Sequence, residues 1–270
     1  MAFAKTYSAQ TKGLNAHIID VEVDLSKGLN AFSIVGLPDK AVEEARDRIG
    51  SAIKNSGYTS PKSKNQKTII SLAPAHIKKE GALFDLPMAL AYLLSSEEIS
   101  FDTQGKIFFG ELSLDGKLRP IKGTLPLTIA AKKSGFKELY LPKKNAQEAA
   151  LIEGLDIFGV ESLEEVIKHL SKKRGEETGE IYPIDVQKKT HVQYKKTKHA
   201  LDFADISGQE TAKRGMEIAA AGKHNIALFG PPGTGKTMLS KAFAGLLPVF
   251  SESEVIETTG IHSVAGALEN

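Results

Sequence analysis

The sequence of 270 residues has no cysteine, which excludes disulfide frameworks and thiolate metal sites. No run approaches the roughly 18 apolar residues of a membrane-spanning helix, and Met1–Gln10 lacks the apolar core of a secretory signal. The formal net charge is only +2, too small to indicate a nucleic-acid or membrane partner by itself. With 41% hydrophobic and 25% charged residues, we expect a cytoplasmic globular protein of about one to three domains with no membrane partner.

Motifs for metal or paired-acid chemistry are also missing. The seven histidines are scattered without HExxH or another ligand spacing, and hydrogen-bonded structural roles are expected for His17, His76 and His224. Three acidic residues have no spacing that would pair them as general acid and base, so solvated or capping roles are expected for Glu80, Asp85 and Glu111.

Residues 1–170 alternate strand-like and helix-like patterns, which predicts one α/β domain. The clearest helix opens at 37–39 and ends at Gly57, with apolar residues at spacings of three and four: Val42, Ala45, Ile49, Ala52 and Ile53. The expected strands are 18–25, 31–35, 68–72, 139–141 and 157–160, with a turn at 26–28 and a hairpin over 107–121. The other expected helices are 86–94, 126–133, 145–153 and 162–170, the last opened by a capping box of Ser162 and Glu165.

The composition changes after residue 170. Basic residues dominate 171–200 and large apolar residues are few, which predicts a solvated linker; a phosphate-binding strip is the alternative. Structured patterns return in 201–270, with a helix over 208–221, a short apolar strand over 225–229, and a second helix over 237–247 that Pro248 ends.

The segment between that strand and the second helix matches the GxxxxGKT pattern of a phosphate-binding loop. Glycines let consecutive backbone N–H groups point inward around a phosphate, and the helix N-terminus adds a favourable dipole. Lys236 is expected to reach the β- and γ-phosphates of ATP, and the Thr237 hydroxyl to ligate Mg²⁺. The predicted nucleotide site is Gly230, Pro231, Pro232, Gly233, Thr234, Gly235, Lys236 and Thr237, and a purely structural glycine-rich turn is the alternative.

Several further blocks accompany the loop: 205–210, 218–222 and 224–225 before it, and 34–38, 71–75, 84–89 and 110–116 in the first half. Together they resemble the magnesium-chelatase-like AAA+ proteins of the YifB/ComM family over almost the whole chain. The resemblance implies a Lon-protease-like (ribosomal S5 domain 2-like) α/β fold for residues 1–170, followed by a P-loop AAA+ module. It also implies a homo-hexamer in the full-length protein, nucleotide at subunit interfaces, and DNA as substrate, as a branch-migration motor in transformation or recombination.

Three functions are weighed on this basis. The leading one is an ATP-binding AAA+ motor component that acts on DNA. A Lon-like ATP-dependent peptidase needs a serine activated by a lysine, but Leu83 stands at the serine position and Leu125 near the lysine position, which disfavours it. A non-enzymatic ring-assembly or binding module in the first domain is compatible with the leading function.

The sequence after Thr237 contains no apolar strand ending in Asp-Glu, which an AAA+ ATPase needs to hold magnesium and polarise water. We therefore expect 201–270 to be the first part of a truncated AAA+ module, and the chain to be a fragment that binds ATP without hydrolysing it alone. No catalytic residue is assigned. Phosphate contacts to DNA are expected from Lys62, Lys64, Lys67 and the 188–198 run, with solvated surface as the alternative.

Overall fold

A computed structural model describes residues 3–171, 183–192 and 201–268. The chain divides into two compact units, Met1–His191 with Ile256–Asn270, and Val192–Val255. Parallel and antiparallel sheets combine with helices in the first unit, so the predicted α/β class is confirmed. No helix within the three described ranges is long and apolar enough to cross a membrane.

The first sheet confirms three predicted strands and adds one, and its members are β1 (Phe3–Lys12), β2 (Asn15–Lys27), β3 (Ala31–Val35) and β4 (Gln66–Ala73). Its order is β1-β2-β4-β3, with β3 parallel to β4 and the other pairs antiparallel. The turn after β2 therefore does not join neighbouring strands, because β4 lies between β2 and β3. The apolar pattern does not predict β1, because its buried positions include the polar residues Thr6 and Ser8. Their hydroxyls donate to Pro87 O and Phe108 O, respectively.

The first two helices of the chain pack on this sheet. α1 (Lys40–Asn55) begins after Asp39, whose carboxylate accepts from Val42 N at 2.8 Å. All five apolar residues predicted to face the core along α1 are buried. α2 (Asp85–Ser95) confirms the second predicted helix and is buried on almost every face, so it forms the centre of the larger core.

The second sheet is parallel and consists of β5 (Lys106–Phe108), β8 (Glu138–Pro142) and β9 (Asp156–Val160), in the order β5-β8-β9. The hairpin expected over 107–121 is confirmed only for β6 (Glu111–Leu112) and β7 (Leu118–Arg119). β5 pairs with β8 instead, because Ile107, Phe108 and Phe109 are all fully buried, as in a parallel strand covered on both faces.

Three further helices complete the first unit: α3 (Thr124–Lys133), α4 (Lys143–Ala149) and α5 (Leu163–Leu170). α3 packs on β1 and β2 of the first sheet, whereas α4 and α5 pack on β9 of the second. They correspond to the remaining helices expected in the first domain. The capping box at α5 forms only in part. The Ser162 hydroxyl accepts from Glu165 N at 3.2 Å, but the Glu165 carboxylate accepts from Glu161 N and not from Ser162 N.

The described part of the expected linker, residues 183–192, is held against the first unit by backbone hydrogen bonds. Gln187 N donates to Ile157 O at 2.7 Å, and Thr190 N donates to Ala150 O at 3.0 Å. Ile184 N donates to His169 Nδ1 at 2.9 Å. This part of the basic stretch is therefore not free in solvent, and the predictions for 172–182 and 193–200 lie outside the described residues.

The second unit contains α6 (Glu210–Gly222) and α7 (Lys236–Phe243), and α8 (Glu252–Ala265) starts in it. Its small core consists of Ile206, Met216, Leu239 and Ala242. α7 ends four residues before the predicted boundary and continues as one 3₁₀ turn at Ala244–Leu246. The strand predicted at 225–229 is wrong, since residues 201–268 contain no strand and Phe229 is fully exposed. A strand requires a hydrogen-bonded neighbour, and this segment has none in the described part of the chain.

Candidate nucleotide-binding site

The predicted phosphate-binding loop connects the extended segment 225–229 to α7. Gly233 and Gly235 have φ angles of 83° and 80°, in the left-handed region that disfavours other residues. A Cβ atom at either position would meet no other atom within 4 Å. These two glycines are therefore required by backbone conformation and not by crowding, and the space beside them is open.

Lys236 is the first residue of α7, and its ammonium group turns back into the loop. Its Nζ donates to Gly230 O at 2.8 Å and to Pro231 O at 2.6 Å. The Thr234 hydroxyl also donates to Pro231 O, at 2.9 Å. The hydrogen-bond acceptors of the Lys236 ammonium group are therefore neutral carbonyl oxygens. An anion that entered the loop would be a stronger acceptor for this group, because the hydrogen bond would join opposite charges.

The start of α7 provides further groups for an anion. Its first turn has backbone N–H groups without helical acceptors, and the helix dipole places partial positive charge there. Leu239 and Ala242 anchor α7 in the small core with Met216 of α6. Thr237, the second residue of α7, is exposed beside this turn. The structure therefore brings all eight predicted residues together on one loop and helix start.

The predictions for the acidic candidates are wrong at Asp85. Its side chain is fully buried and accepts two hydrogen bonds from Arg48, at 2.7 Å to Nε and 3.0 Å to Nη2. Leu112 N donates to the same carboxylate at 3.2 Å. Burial raises the pKa of Asp85 to about 6, while Arg48 and the Leu112 amide oppose that rise. One signal in the sequence could have indicated this ion pair: the charged residue Arg48 directly precedes Ile49, a buried position of α1.

The other acidic residues and the histidines form no site in the described residues. Glu80 pairs with Lys78 and Glu111 with Arg119, so neither is placed for acid–base work with the other. His17, His76 and His224 are exposed and make no side-chain hydrogen bond there, so the roles expected for them are not seen. No group of three metal-ligating side chains occurs across these ranges.

The two leucines that we expect at the positions of a peptidase dyad are packing residues in the structure. Leu125 is fully buried, and its backbone N donates to Glu148 Oε1 at 3.0 Å. Leu83 is half-buried and touches both core clusters of the first unit. A leucine at either place can neither attack a carbonyl nor take a proton.

Two of the lysines expected to contact DNA phosphates form ion pairs with carboxylates. Lys62 Nζ lies 2.7 Å from Asp47, and Lys64 Nζ lies 2.7 Å from Glu98. Lys67 is exposed on β4. In the other run, Lys189 pairs with Glu153, and 193–198 lies outside the described residues.

The chain is similar to one class of protein, the magnesium chelatase subunit ChlI. The family model "Subunit ChlI of Mg-chelatase" matches residues 21–145, and the model "Magnesium chelatase, subunit ChlI" matches residues 202–270. Within this class, the chain matches the YifB/ComM family. It is 41% identical to YifB of Escherichia coli over 268 residues, which are 99% of this chain and 50% of YifB.

A second relative in the family is competence protein ComM of Haemophilus influenzae, 39% identical over 267 residues, or 98% of this chain and 50% of ComM. The chain therefore spans about half the length of these relatives. Lon protease 2 of Bacillus subtilis is 30% identical over 125 residues, 46% of this chain and 21% of that protease. A relationship to Lon proteases therefore accompanies the match to the YifB/ComM family.

Proposed function

We propose that the chain binds ATP and Mg²⁺ through residues 230–237 as part of an AAA+ motor that acts on DNA. The observation that carries the proposal is the placement of the Lys236 ammonium inside an open loop at the start of α7. The matches to the two ChlI family models support nucleotide and magnesium use. The relative named competence protein ComM supports a role linked to competence.

The loop performs its task by exchanging partners. Without an anion, Lys236 Nζ donates to Gly230 O and Pro231 O. Lys236 and the backbone N–H groups at the start of α7 would donate to the phosphate oxygens of a bound ATP. The Thr237 hydroxyl would supply one oxygen ligand to a magnesium ion bound with the nucleotide.

Binding of a fluorescent ATP analogue to Lys236→Ala tests this assignment against a matched control on the same helix. Lys241 is exposed on α7, so Lys241→Ala removes the same charge without touching the loop. A charge-assisted hydrogen bond contributes about 1.5–3 kcal/mol, so Lys236→Ala should weaken binding about tenfold or more. Lys241→Ala should change it by less than about twofold, since it loses only a solvated surface charge. Equal affinities of Lys236→Ala and wild type would refute the site.

For the whole protein to which this chain corresponds, we propose DNA binding and assembly into a homo-hexamer with nucleotide at the subunit interfaces. In that ring, the first domain is a binding and assembly module without peptidase activity, because Leu83 and Leu125 lack the required chemistry.

Incubation of the purified chain with unfolded casein, with and without ATP, tests that second role. We expect no cleavage above buffer. Cleavage that copurifies with the protein through a second column would overturn the assignment of Leu83 and Leu125 to the dyad positions.

A further inference from the structure

The first unit has a cleft of about 490 Å³ between two short segments. One wall is the end of the β1–β2 hairpin, with residues 10–13 and His17, and the other belongs to the segment 76–80 after β4. Ile77 is the only large apolar side chain among the described residues that line it. Small-molecule sites are mostly apolar and enclose their ligands, so this open, polar cleft is better suited to part of a larger molecule.

Positive charge exceeds negative charge in the cleft. Lys12 and Lys78 are exposed lining residues, and Glu80 is the one acidic residue that lines it in the described part of the chain. Lys78 Nζ lies 2.8 Å from Glu80 Oε1, so this carboxylate is neutralised within the cleft. Lys12 has no carboxylate partner among the described residues. His17 and His76, which form no metal or acid–base site, lie on opposite walls. The uncompensated cation of the cleft is therefore Lys12.

Buried polar side chains fix both walls. Gln10 is 5% exposed, and its Oε1 accepts from Glu80 N at 2.9 Å, which joins the hairpin to the opposite wall. Lys79, within the second wall, is fully buried, and its Nζ donates to Gly36 O at 2.8 Å and to Pro74 O. The second wall is therefore held in place by hydrogen bonds before any ligand binds.

The second wall also provides backbone donors. The N–H groups of His76 and Lys78 have no acceptor among the described residues. Ile77 N, between them, donates to Pro74 O at 3.3 Å. Backbone N–H groups beside lysines are common partners of nucleic-acid phosphates, because their dipoles and the ammonium charge attract the same oxygens. Free backbone donors and an unpaired cation thus occur together at one cleft.

We propose that this cleft binds the phosphate groups of a nucleic-acid strand, an inference that rests on the proposed action on DNA. Lys12 donates to one phosphate, and the N–H groups of His76 and Lys78 donate to oxygens of the same or the neighbouring phosphate. Glu80 opposes binding, and its ion pair with Lys78 limits that repulsion. Phosphate contacts carry no sequence information, so the cleft binds strands of any sequence.

Fluorescence anisotropy with a labelled single-stranded oligonucleotide, without added nucleotide, compares Lys12→Gln with Lys54→Gln. Lys54 is exposed on α1 of the same unit and also has no carboxylate partner among the described residues. Lys12→Gln should weaken binding at least about threefold and make the slope of log affinity against log salt smaller by about 0.7, since one phosphate contact is lost. Lys54→Gln should change the affinity by less than about twofold. Glu80→Gln should strengthen binding, because it removes a repulsive charge and releases Lys78.

The outcomes of this comparison separate the cleft from the proposed function. Equal affinities of Lys12→Gln and Lys54→Gln would overturn the inference while leaving DNA binding by the chain intact. If the wild-type chain did not bind the oligonucleotide at all, the proposed action on DNA would be refuted together with the inference.

Chemical restoration of the ammonium group distinguishes a phosphate contact from a structural role of Lys12. The sequence has no cysteine, so Lys12→Cys carries a single thiol. Alkylation with bromoethylamine rebuilds a lysine-like ammonium group, whereas iodoacetamide adds a neutral amide. The first product should recover the wild-type affinity for the oligonucleotide within about twofold, because the charge-assisted hydrogen bond is restored. The second product should bind as weakly as Lys12→Gln, and equal affinities of the two products would overturn the inference.

Discussion

At the scale of single residues, the ion pair of Arg48 with the fully buried Asp85 lies outside the predicted nucleotide-binding loop. Asp85 is fully buried, and Arg48, whose side chain is 19% exposed, is its ion-pair partner. The pair joins α1 to α2, and the Leu112 amide adds β6 to the same carboxylate. Removing one partner of a buried ion pair leaves the other charge buried without a counter-charge. The resulting loss in free energy of unfolding is far larger than the contribution of a surface ion pair.

Arg48→Ala should therefore lower the free energy of unfolding by about 3–5 kcal/mol at neutral pH. The pKa of Asp85 is raised by burial to about 6, and loss of Arg48 removes a group that opposes the rise. A carboxyl group with a raised folded pKa is most favourable when protonated, so the stability of Arg48→Ala should fall as pH increases from 5 to 8. Urea unfolding at both pH values measures this.

Arg46→Ala serves as the control for this experiment, because Arg46 is exposed on the same helix and its nearest carboxylate, Asp47, lies 3.7 Å away. Its effect should stay within about 0.5 kcal/mol at either pH. A loss in Arg48→Ala as small as that of Arg46→Ala would show that the pair contributes nothing.

At the scale of elements, the start of α1 is fixed by a side chain with two tasks. Asp39 Oδ1 accepts from Val42 N at 2.8 Å, which caps the helix. Asp39 Oδ2 accepts from Gly81 N at 3.1 Å, which ties the helix start to the segment before α2. One carboxylate therefore links the start of α1 to the segment that leads into α2.

Asp39→Ala should destabilise the protein by about 1–2 kcal/mol, since it removes a helix cap and leaves two backbone donors without this partner. Asp39→Asn should lose less than half as much free energy of unfolding, because asparagine caps a helix as well as aspartate does. The remaining loss is expected because asparagine has only one accepting oxygen, so it cannot accept from both Val42 N and Gly81 N. Urea midpoints of the three proteins give the comparison. A midpoint for Asp39→Ala equal to that of the wild type would refute the cap.

At the scale of the whole molecule, proposed DNA binding depends on which cations remain available. Lys62 and Lys64 are neutralised by Asp47 and Glu98, whereas Lys67 has no carboxylate partner among the described residues. Binding by the chain is therefore expected to be weak and sequence-tolerant, with log affinity falling linearly with log salt.

Lys67→Gln should make that salt slope smaller by about 0.9 for duplex DNA, because one phosphate contact and its counterion release are lost. Glu98→Gln should act in the opposite direction by releasing Lys64 from its ion pair. Fluorescence anisotropy with a labelled duplex over a salt series measures both. Affinity that ignores salt, or equal slopes in all three proteins, would contradict phosphate contacts by these lysines.

The sequence by itself determined the features that depend on local spacing. The buried stripe of α1, the helix at α2 and the strand cores of β2, β3 and β4 follow from periodicity, because side-chain direction repeats every 3.6 residues in a helix and every two in a strand. The GxxxxGKT pattern likewise determined where the loop and the start of α7 lie, since left-handed φ angles at Gly233 and Gly235 are a local requirement. The spacing predicts phosphate binding, and every further part of the proposed function depends on the family resemblance.

Only the tertiary structure decided features that depend on partners distant in sequence. The insertion of β4 between β2 and β3, the pairing of β5 with β8, and the absence of a strand at 225–229 are all matters of which backbone finds a hydrogen-bonding neighbour. The burial of Asp85 against Arg48 and the capture of Gly123 N by Ser263 O join residues 37 and 140 positions apart. Local pattern carries no information about such pairs, because their energy arises only when the whole unit has folded.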